Sequence, residues 1–256
     1  MTPEFGSPRT AIVTGGARRL GAAFARALAA DGWTLLIHYN ASHDDAEALA
    51  AELGGHTRIV QADLADATAP AKILAALNGM PPPALLVNSA SIFEDDVLDG
   101  FDVERWDRHQ AINVRGPALL TRAFAEWVAD GQAALIVNIL DAKLVQPNPD
   151  FFSYTISKMG LAGLTELSAR SLAKRGIRVC GLAPSVTLVS GKQTRDNFDA
   201  VHRLNALKRG VTADQLVVAL RFIVASPTLT GQTITLDAGQ RFLGLARDVQ
   251  YLSEQP

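Results

Sequence analysis

Tyr154 and Lys158 are the pair of residues in this chain whose types and spacing best suit proton transfer. They stand four positions apart in the helical pattern FFSYTISKMG, and this spacing places two side chains on one face of a helix. An ammonium beside a phenol favours the phenolate, so we expect a lowered pKa for Tyr154. Such a tyrosine can exchange a proton near neutral pH. The pair indicates a reductase-type site, and a solvent-facing helix surface is the alternative.

A glycine-rich turn near the amino terminus has the layout of a dinucleotide-binding loop. Residues 14–21 read TGGARRLG, follow the apolar run AIV and lead into an alanine-rich amphipathic stretch. Glycine at both ends of such a turn lets backbone approach a pyrophosphate, with a helix amino terminus behind it. Arg18 and Arg19 place two cations in the middle of the turn. The position after an apolar run favours a cofactor site over a purely structural turn.

The second apolar run ends in IHYNAS, residues 37–42, and this ending indicates the type of dinucleotide. An NAD site usually carries an acidic residue about 20 positions after the turn, yet no Asp or Glu lies between Asp31 and Asp44. Cations and hydrogen-bonding side chains suit a 2′-phosphate instead. We therefore predict NADP(H), with Arg18 as a solvated helix-start cation as the alternative. The residues expected to serve the phosphate are Arg18, His38, Tyr39, Asn40 and Ser42.

A fold must bring the candidate cofactor and proton-transfer residues together, and seven short apolar runs are predicted to form its strands. The runs are nearly continuous in apolar residues, as expected for strands covered on both faces. Helix-length patterns separate them, the longest at 103–129 and 153–175. Such alternation indicates one doubly wound, Rossmann-type α/β domain with a seven-stranded parallel sheet flanked by helices. The strand candidates are residues 10–15, 34–39, 57–63, 84–90, 134–140, 178–184 and 233–239.

Ligands of a doubly wound sheet bind beyond the carboxyl ends of its strands. We therefore expect the chemistry just after residues 15, 39, 63, 90, 140 and 184. Asp63 ends the third candidate strand, where it either meets an adenine amino group or caps the following helix. Both interpretations stay open at this point.

Composition bounds the other classes of function. The chain has 256 residues, is 48% hydrophobic and carries a formal net charge of −2, which suits one domain over 9–256 and gives no global electrostatic case for nucleic acid. No apolar run reaches the roughly 18 residues that a membrane span needs. The single cysteine, Cys180, indicates a reducing, cytoplasmic setting. Residues 1–8 are expected to be a disordered leader or a cloning remnant, and no metal site is expected.

In combination, these motifs resemble the short-chain dehydrogenases/reductases over about residues 9–243. The resemblance rests on TGGARRLG, NSAS at 88–91, INVRGP at 112–117, the Tyr154 and Lys158 pair, and LTGQTITLDAG at 229–239. It implies Tyr154 as the proton donor, Lys158 as its electrostatic partner and Asn113 as the support of a proton-relay water. A buried Asn113 that satisfies helix backbone is the alternative for that residue.

The same resemblance implies a small-molecule substrate and a homotetramer assembled through the long helices and the carboxyl-terminal region. It also implies a set of cofactor contacts, most of them in the glycine-rich turn or at strand ends. These are Gly15, Arg18, Arg19, Leu20, His38, Tyr39, Asn40, Ser42, Asp63, Leu64, Asn88, Ser89, Ala90, Ser91, Tyr154, Lys158, Pro184 and Ser185.

Two departures from the usual family pattern point to its pteridine reductase branch, which includes the dihydromonapterin reductases. Asp141 stands where the family usually has serine, and Arg19 stands where it usually has glycine. His38-Tyr39, NSASIF at 88–93 and APSVTL at 183–188 are also similar to that branch. The resemblance implies a substrate site formed by Arg19, Ser91, Phe93, Asp141 and Tyr154.

A pterin also fits the chemistry of these side chains. Its flat heteroaromatic ring can be sandwiched between a nicotinamide and Phe93. An ionised Asp141 would repel the negative charge that develops on a ketone oxygen, whereas an Asp141–Tyr154 pair could protonate a ring nitrogen. Local backbone capping by Asp141 and simple loop packing by Phe93 are the alternatives.

Other positions differ from the pteridine reductases. Ala41 replaces an arginine that some of them use for the 2′-phosphate, and Ser89 stands where Asn or Ala is usual. Lys143 adds a cation that would lower the pKa of Asp141. The substrate-lid region, residues 186–207, diverges most.

The leading hypothesis is therefore an NADPH-dependent pteridine reductase acting on dihydropterins, dihydromonapterin or dihydrofolate. One alternative is an NADPH-dependent reductase of an unrelated carbonyl or imine. Another is a non-catalytic NADP-binding sensor, which the presence of Tyr154, Lys158 and Asn113 disfavours.

Overall fold

Seven parallel strands form the centre of the molecule in the computed structural model, which describes residues 4–190 and 193–254. The strands are β1 (Thr10–Thr14), β2 (Thr34–Tyr39), β3 (Thr57–Gln61), β4 (Pro83–Asn88), β5 (Ala134–Ile139), β6 (Ile177–Pro184) and β7 (Thr233–Leu236). They pair in the order β3-β2-β1-β4-β5-β6-β7. The predicted α/β fold and all seven strand candidates are confirmed.

The order of the strands determines where a ligand can bind. The chain runs outward from β1 to β3 and then returns to add β4 on the other side of β1. In the register, Thr14 lies beside both His38 and Asn88. The carboxyl ends of β1, β2 and β4 therefore meet at one edge, on either side of the point where the strand order reverses.

Helices cover both faces of this sheet. They are α1 (Arg19–Ala30), α2 (His43–Leu53), α3 (Ala69–Ala75), α4 (Val103–Gln110), α5 (Gly116–Trp127), α6 (Phe152–Leu172), α7 (Arg195–Val201) and α8 (Ala213–Val224). As a result, β1, β4 and β5 are buried along their whole length, which explains why their sequences are apolar without alternation.

Helix α1 follows directly from its sequence pattern. Phe24 and Leu28 lie on its buried face and pack into the main hydrophobic core. Each such side chain contributes about 1.5–3 kcal/mol when it leaves water. The helix stops before Gly32, whose φ of +80° is a conformation that glycine adopts without strain.

The helical pattern predicted over 103–129 is interrupted in the structure. A π-helical turn, Ala111–Arg115, separates α4 from α5. Pro117 stands at the start of α5 and has no N–H group, so the carbonyl of Asn113 lacks its regular helical donor. The wider turn that results carries Asn113, and turns of this kind are often found at functional sites.

The expectation of a disordered leader is corrected for residues 4–8. Phe5 is buried against Trp33, with ring centroids 5.6 Å apart. Glu4 forms an ion pair with the buried Arg178 at 2.9 Å. An apolar anchor and a paired charge dock this segment on the domain, a result that its polar, proline-containing sequence did not suggest. Residues 1–3 lie outside the described residues.

The predicted lid region, 186–207, contains α7 and the loop before it, while residues 191 and 192 lie outside the described residues. Among the helices that the structure describes, none is long and apolar enough to cross a bilayer.

Candidate active site

A cleft of about 380 Å³ opens at the carboxyl edge of the sheet. Its volume falls within the roughly 300–1,000 Å³ that is usual for ligand sites. The glycine-rich turn forms one end of its wall, and Tyr154 and Lys158 contribute to the other. The fold therefore joins the predicted cofactor loop and the predicted proton-transfer pair in one cavity.

The glycine-rich turn has room only for backbone. Gly15 has a φ of +59°, and a Cβ atom there would lie 2.9 Å from the Cα of Ala90. A Cβ atom on Gly21 would collide with the carbonyl oxygen of Gly15. The Thr14 hydroxyl accepts hydrogen bonds from the backbone N–H groups of Ser89 and Ala90 at 3.0 and 3.1 Å, which ties β4 to the turn. This exposed backbone fits a pyrophosphate.

The amino terminus of α1 adds to that fit. The first N–H groups of a helix have no intrahelical acceptor and carry a partial positive charge. Here they have no side-chain cap, and no acidic residue stands in the first turn. Leu20, at the second position of the helix, lines the cleft. The turn and the helix together offer an anion site made of backbone.

Arg18 and Arg19 point in different directions. Arg18 is largely exposed and forms a 3.4 Å ion pair with Asp45 on α2. Arg19 has a left-handed φ of +54° and donates a hydrogen bond to the carbonyl oxygen of Val189 in the lid region. Burial, with the neighbouring Arg18, lowers the pKa of Arg19. Both arginines line the cleft, so both remain predicted ligand contacts.

His38 has a different place from the one predicted. Its side chain is buried, its Nδ1 atom accepts the N–H of Gly15 at 3.3 Å, and its Nε2 atom lies 2.9 Å from the carbonyl oxygen of Ala62. Burial lowers the pKa of His38 and favours the neutral ring. With both nitrogen atoms engaged, His38 supports the glycine-rich turn from behind. The expected phosphate contact is therefore corrected to a structural role.

The remaining residues near the end of β2 and β3 are divided between the interior and the surface. Tyr39 is buried, and its hydroxyl lies 2.7 Å from Nδ1 of His43. Asn40 is exposed and Ser42 half-buried, so both are accessible to a phosphate. Asp63 accepts the N–H of Ala65 at 2.9 Å and closes a local turn, whereas α3 begins only at Ala69 with Thr68 as its N-cap. The other carboxylate oxygen of Asp63 is not used in that turn, so its contact with the adenine stays a prediction. The neighbouring Leu64 is buried.

Asn88 and Asn113 both lie in the interior. Asn88 donates a hydrogen bond to Asn138 at 2.8 Å and joins the ends of β4 and β5. The side-chain oxygen Oδ1 of Asn113 accepts from the Ser91 hydroxyl and the Ile92 N–H, and its side-chain amide donates to the hydroxyl of Ser157 at 2.9 Å. This is the arrangement expected for a buried Asn113 that satisfies backbone and joins the loop after β4 to α6. Its support of a relay water stays a prediction.

Tyr154, Asp141 and Lys158 form the polar centre of the cleft. The Tyr154 hydroxyl donates to Oδ2 of Asp141 at 2.7 Å, and the backbone N–H of Lys143 donates to Oδ1 at 2.8 Å. Lys158 donates to the carbonyl oxygen of Ile139 at 2.7 Å, and its Nζ atom lies 5.7 Å from the centroid of the Tyr154 ring. Asp141 therefore both caps the short helical turn after β5 and contacts the tyrosine.

Burial controls the protonation of this group. It raises the pKa of Asp141, because the carboxylate loses water. Burial and then the nearby Asp141 raise the pKa of Tyr154 well above its ordinary value. Burial lowers the pKa of Lys158 from 10.5 to about 8. Together these shifts favour the protonated forms of Asp141 and Tyr154 and the neutral form of Lys158.

Two expectations about these pKa values are wrong. The pKa of Tyr154 is raised instead of lowered, since the loss of water and the Asp141 carboxyl group dominate over Lys158. Lys143 lowers the pKa of Asp141 only through its backbone hydrogen bond, which does not outweigh burial. The ammonium group of Lys143 instead pairs with Asp248 at 3.2 Å.

Phe93 lies on the wall of the cleft next to Tyr154. Its ring stacks on Phe151, with centroids 4.2 Å apart and an angle of 19° between the planes. It meets Tyr154 edge-on at 4.7 Å. These contacts match the loop-packing alternative, and they also place an aromatic wall beside Tyr154.

Residues 9–199 match the model of the short chain dehydrogenase family. The chain belongs to the short-chain dehydrogenases. The resemblance predicted from motifs such as TGGARRLG, INVRGP and the Tyr154–Lys158 pair is confirmed.

Individual relatives of this short-chain dehydrogenase act on different substrates, according to their names. A 3-oxoacyl-[acyl-carrier-protein] reductase of Synechocystis sp. is 30% identical and aligns with 90% of this chain and 96% of its own. Pteridine reductase 1 of Leishmania tarentolae is 29% identical, with 90% and 95% covered. The structure of FolM alternative dihydrofolate reductase 1 from Brucella canis, complexed with NADP, is similar with a TM-score of 0.88. It has 36% sequence identity, with 93% and 96% of the two chains covered.

The carboxyl-terminal segment contributes to the site of this dehydrogenase in a way that sequence reasoning missed. Residues 245 and 248–250 line the cleft together with Arg241, which pairs with Asp237 at 2.9 Å. Pro184 and Ser185 line it from the end of β6, as predicted. The signal in the sequence is the adjacent Arg247 and Asp248 after the last strand, and no spacing rule connects them with Asp141, more than 100 positions earlier.

Proposed function

We propose that this short-chain dehydrogenase uses NADPH to reduce a pteridine, namely a dihydropterin, dihydromonapterin or dihydrofolate. The observation that carries the proposal is the buried Asp141, which accepts a hydrogen bond from Tyr154 and has a raised pKa. The raised pKa keeps more of this carboxyl group protonated than in water, so it can supply a proton to a ring nitrogen. The similarity to FolM and to a pteridine reductase supports the same substrate class.

The residues of the cleft divide the work of holding NADPH. The backbone of the glycine-rich turn and the amino terminus of α1 suit its pyrophosphate, and Arg18, Asn40 and Ser42 suit its 2′-phosphate. Pro184 and Ser185 stand nearer the reacting end of the cleft. When bound there, the nicotinamide supplies the hydride. The pairing of Arg18 with Asp45 means that phosphate binding must compete with an existing ion pair.

Proton transfer is the task of Tyr154 and Asp141. Reduction of a C=N bond adds a hydride to carbon and a proton to nitrogen. Tyr154 holds a proton on its hydroxyl, and Asp141 lies within 2.7 Å to replace that proton as it leaves. Lys158, held by the Ile139 carbonyl, provides a positive charge nearby that favours the transient phenolate.

Phe93 gives the substrate site its shape. A pterin ring stacked on its cleft side would be fixed against Tyr154, because Phe93 itself is held by Phe151. Aromatic stacking of this kind contributes about 0.5–1.5 kcal/mol beyond the buried area.

A spectrophotometric assay tests the proposal. NADPH oxidation is followed at neutral pH with dihydrobiopterin, dihydromonapterin and dihydrofolate, and turnover is expected with one or more of them. Acetoacetyl thioesters serve as the comparison, because the Synechocystis relative is named for an oxoacyl substrate. Turnover of the thioester with none of the pteridines would replace this proposal with the carbonyl-reductase alternative.

Replacement of Asp141 separates a chemical role from a structural one. We expect Asp141→Ser to lower kcat with a pteridine by 10²–10⁴-fold, the range of a lost general acid, while the Kd for NADPH changes little. Asp102→Ser is the matched control, since Asp102 also caps a helical turn, at the start of α4, but does not line the cleft. If Asp141→Ser lost NADPH affinity by as large a factor as it lost kcat, Asp141 would only hold the backbone.

We also propose the homotetramer that the family resemblance implies. Large apolar side chains are exposed on α6 and α8, among them Leu167, Val218 and Phe222, and such surfaces are common at subunit interfaces. Light scattering after size-exclusion chromatography gives the mass; a monomer at micromolar concentration would contradict the proposal.

A further inference from the structure

Four charged residues join the carboxyl-terminal segment to the loop that carries Asp141. Lys143 donates to Asp248 at 3.2 Å and to the backbone carbonyl of Asp150 at 2.6 Å. Arg247 binds both carboxylate oxygens of Asp150 at 2.8 and 2.9 Å, and the N–H of Asp248 donates to the same carboxylate at 2.7 Å. We refer to Lys143, Asp150, Arg247 and Asp248 as the charge cluster.

The inner pair of the charge cluster is shielded from water. The side chains of Lys143 and Asp248 are only 9% and 14% exposed, whereas Arg247 is half exposed. Charges in such surroundings interact more strongly than surface pairs, and losing one partner leaves the other uncompensated. The inner pair therefore has a large influence on whatever lies next to it.

Asp141 lies next to this inner pair of Lys143 and Asp248. Lys143 is two residues further along the chain, and its N–H already donates to Asp141. Its side chain is directed away from Asp141, towards Asp248 and over the ring of Phe151 at 5.2 Å. Without Asp248, this ammonium would lose its carboxylate partner, on a flexible side chain whose own backbone N–H already contacts Asp141.

We propose that Asp248 is a positioning residue of the active site, which holds the Lys143 ammonium in an ion pair and keeps it from stabilising the ionised form of the Asp141 carboxyl group. The inference rests on the proposed function in one respect, namely that the proton shared by Asp141 and Tyr154 is used in the reaction.

The groups around Asp141 and Asp248 show the direction in which Asp248 shifts the pKa of Asp141. Asp141 faces Tyr154 and Lys158 on α6, Lys143 on its own loop, and Asp248 from the carboxyl-terminal segment. Besides Lys143, the charged or titratable groups around Asp248 are Asp150, Arg247 and Tyr251. The negative charge of Asp248 adds to burial in raising the pKa of both Asp141 and Tyr154.

The pH profile of kcat is the first test, because a tail that merely held the fold together would not shift it. The rate of reduction falls as the proton donor ionises, so the basic limb reports that ionisation. Asp248→Asn frees the ammonium and removes a negative charge, and we expect the limb to move to lower pH by an amount on the order of one unit. Lys143→Met leaves Asp248 unpaired beside Asp141 and should move the limb to higher pH.

Two further variants make the test specific. The double variant Lys143→Met/Asp248→Asn removes both charges and should return the limb close to its original position. Asp31→Asn makes the same change in a remote ion pair with Arg221 and should leave the profile unchanged. Shifts of the same sign in both single variants, or no shift in either, would overturn the inference.

A second measurement does not depend on turnover. A ¹³C NMR titration of protein labelled at aspartate carboxyl carbons identifies Asp141 as the resonance lost in Asp141→Asn. Its midpoint should fall in Asp248→Asn and rise in Lys143→Met. If these shifts occur in a protein that reduces no pteridine, the proposed function fails and the inference stands. If the midpoint stays fixed in an active enzyme, only the inference fails.

Discussion

The two ends of the cleft are built in different ways. At the cofactor end, most of the binding surface is backbone from residues 14–21, and its shape depends on glycines that have no room for a Cβ atom. At the reacting end, the surface consists of side chains from segments far apart in the chain, including Phe93, Asp141, Tyr154 and Asp248. Local conformation decides the first end, and burial and charge decide the second. The four predictions below test this difference.

The largest effect is expected at the reacting end. Tyr154→Phe removes the proton-donating hydroxyl but keeps the ring that packs against Phe93. We expect kcat to fall by about 10²–10⁴-fold. The Kd for NADPH, measured by fluorescence titration, should stay within about twofold of wild type, a change well below the 1.4 kcal/mol of a tenfold loss of affinity. A parallel loss of NADPH affinity would show that the two ends are not separate.

At the cofactor end, backbone shape is tested by Gly21→Ala. The new methyl group would collide with Gly15 and approach Gly16 at 3.0 Å, so the turn must distort and NADPH affinity should fall by tenfold or more, about 1.4 kcal/mol. Gly163→Ala is the matched control, because Gly163 lies in α6 with open space around it. That control should increase the free energy of unfolding by about 0.5–1 kcal/mol, as measured by urea denaturation. An equal loss of NADPH affinity in Gly21→Ala and Gly163→Ala would contradict the distinction between the two ends of the cleft.

The charge of the reacting end is tested by the pH dependence of stability. The pKa of Lys158 is about 8 in the folded protein and 10.5 without burial. Between these values the unfolded chain holds a proton that the folded protein has lost, so stability attributable to Lys158 rises with pH. The difference corresponds to about 3 kcal/mol. Urea denaturation at pH 8 and pH 10 should show this rise in wild type and a smaller one in Lys158→Met; parallel pH dependence in the two proteins would contradict it.

A smaller effect is expected where side chains supplement the cofactor end. Arg18→Glu should raise the KM for NADPH by roughly tenfold, as expected for a lost charge-assisted hydrogen bond, with little change for NADH. Asp45→Asn removes the competing partner of Arg18 and should lower the KM for NADPH by up to about threefold, within the small range of exposed ion pairs. Steady-state kinetics with both cofactors gives these values. Equal changes for NADPH and NADH would remove the 2′-phosphate role of Arg18.

Much of the architecture could be predicted because its signals are local. The seven strands are short apolar runs between helical patterns, and the glycines of residues 14–21 identify a tight turn at the end of the first strand. Four-residue spacing placed Tyr154 and Lys158 on one helix face. The break at Ala111–Arg115 was not predicted, although Pro117 gave a signal for it.

Long-range packing explains the expectations that failed. His38 looked like a surface donor at a strand end, but the register of β2 beside β1 buries it behind Gly15. The segment at 4–8 looked like a leader, but Phe5 and Glu4 find partners at Trp33 and Arg178. In both cases the partner is distant in the chain, so no local pattern could identify it.

The amino-acid sequence by itself determined the fold class, the position of the glycine-rich turn and the placement of Tyr154 and Lys158 on one helix face, because each follows from periodicity or spacing within one segment. Only the tertiary structure decided how those residues are protonated. The pKa values of Asp141 and Tyr154 are raised because the assembled sheet, α6 and the carboxyl-terminal segment exclude water from them. The same assembly brings Asp248 to Lys143 across 105 positions of the chain. Burial and charge pairing of this kind are properties of the assembled fold, since they arise only when distant segments meet.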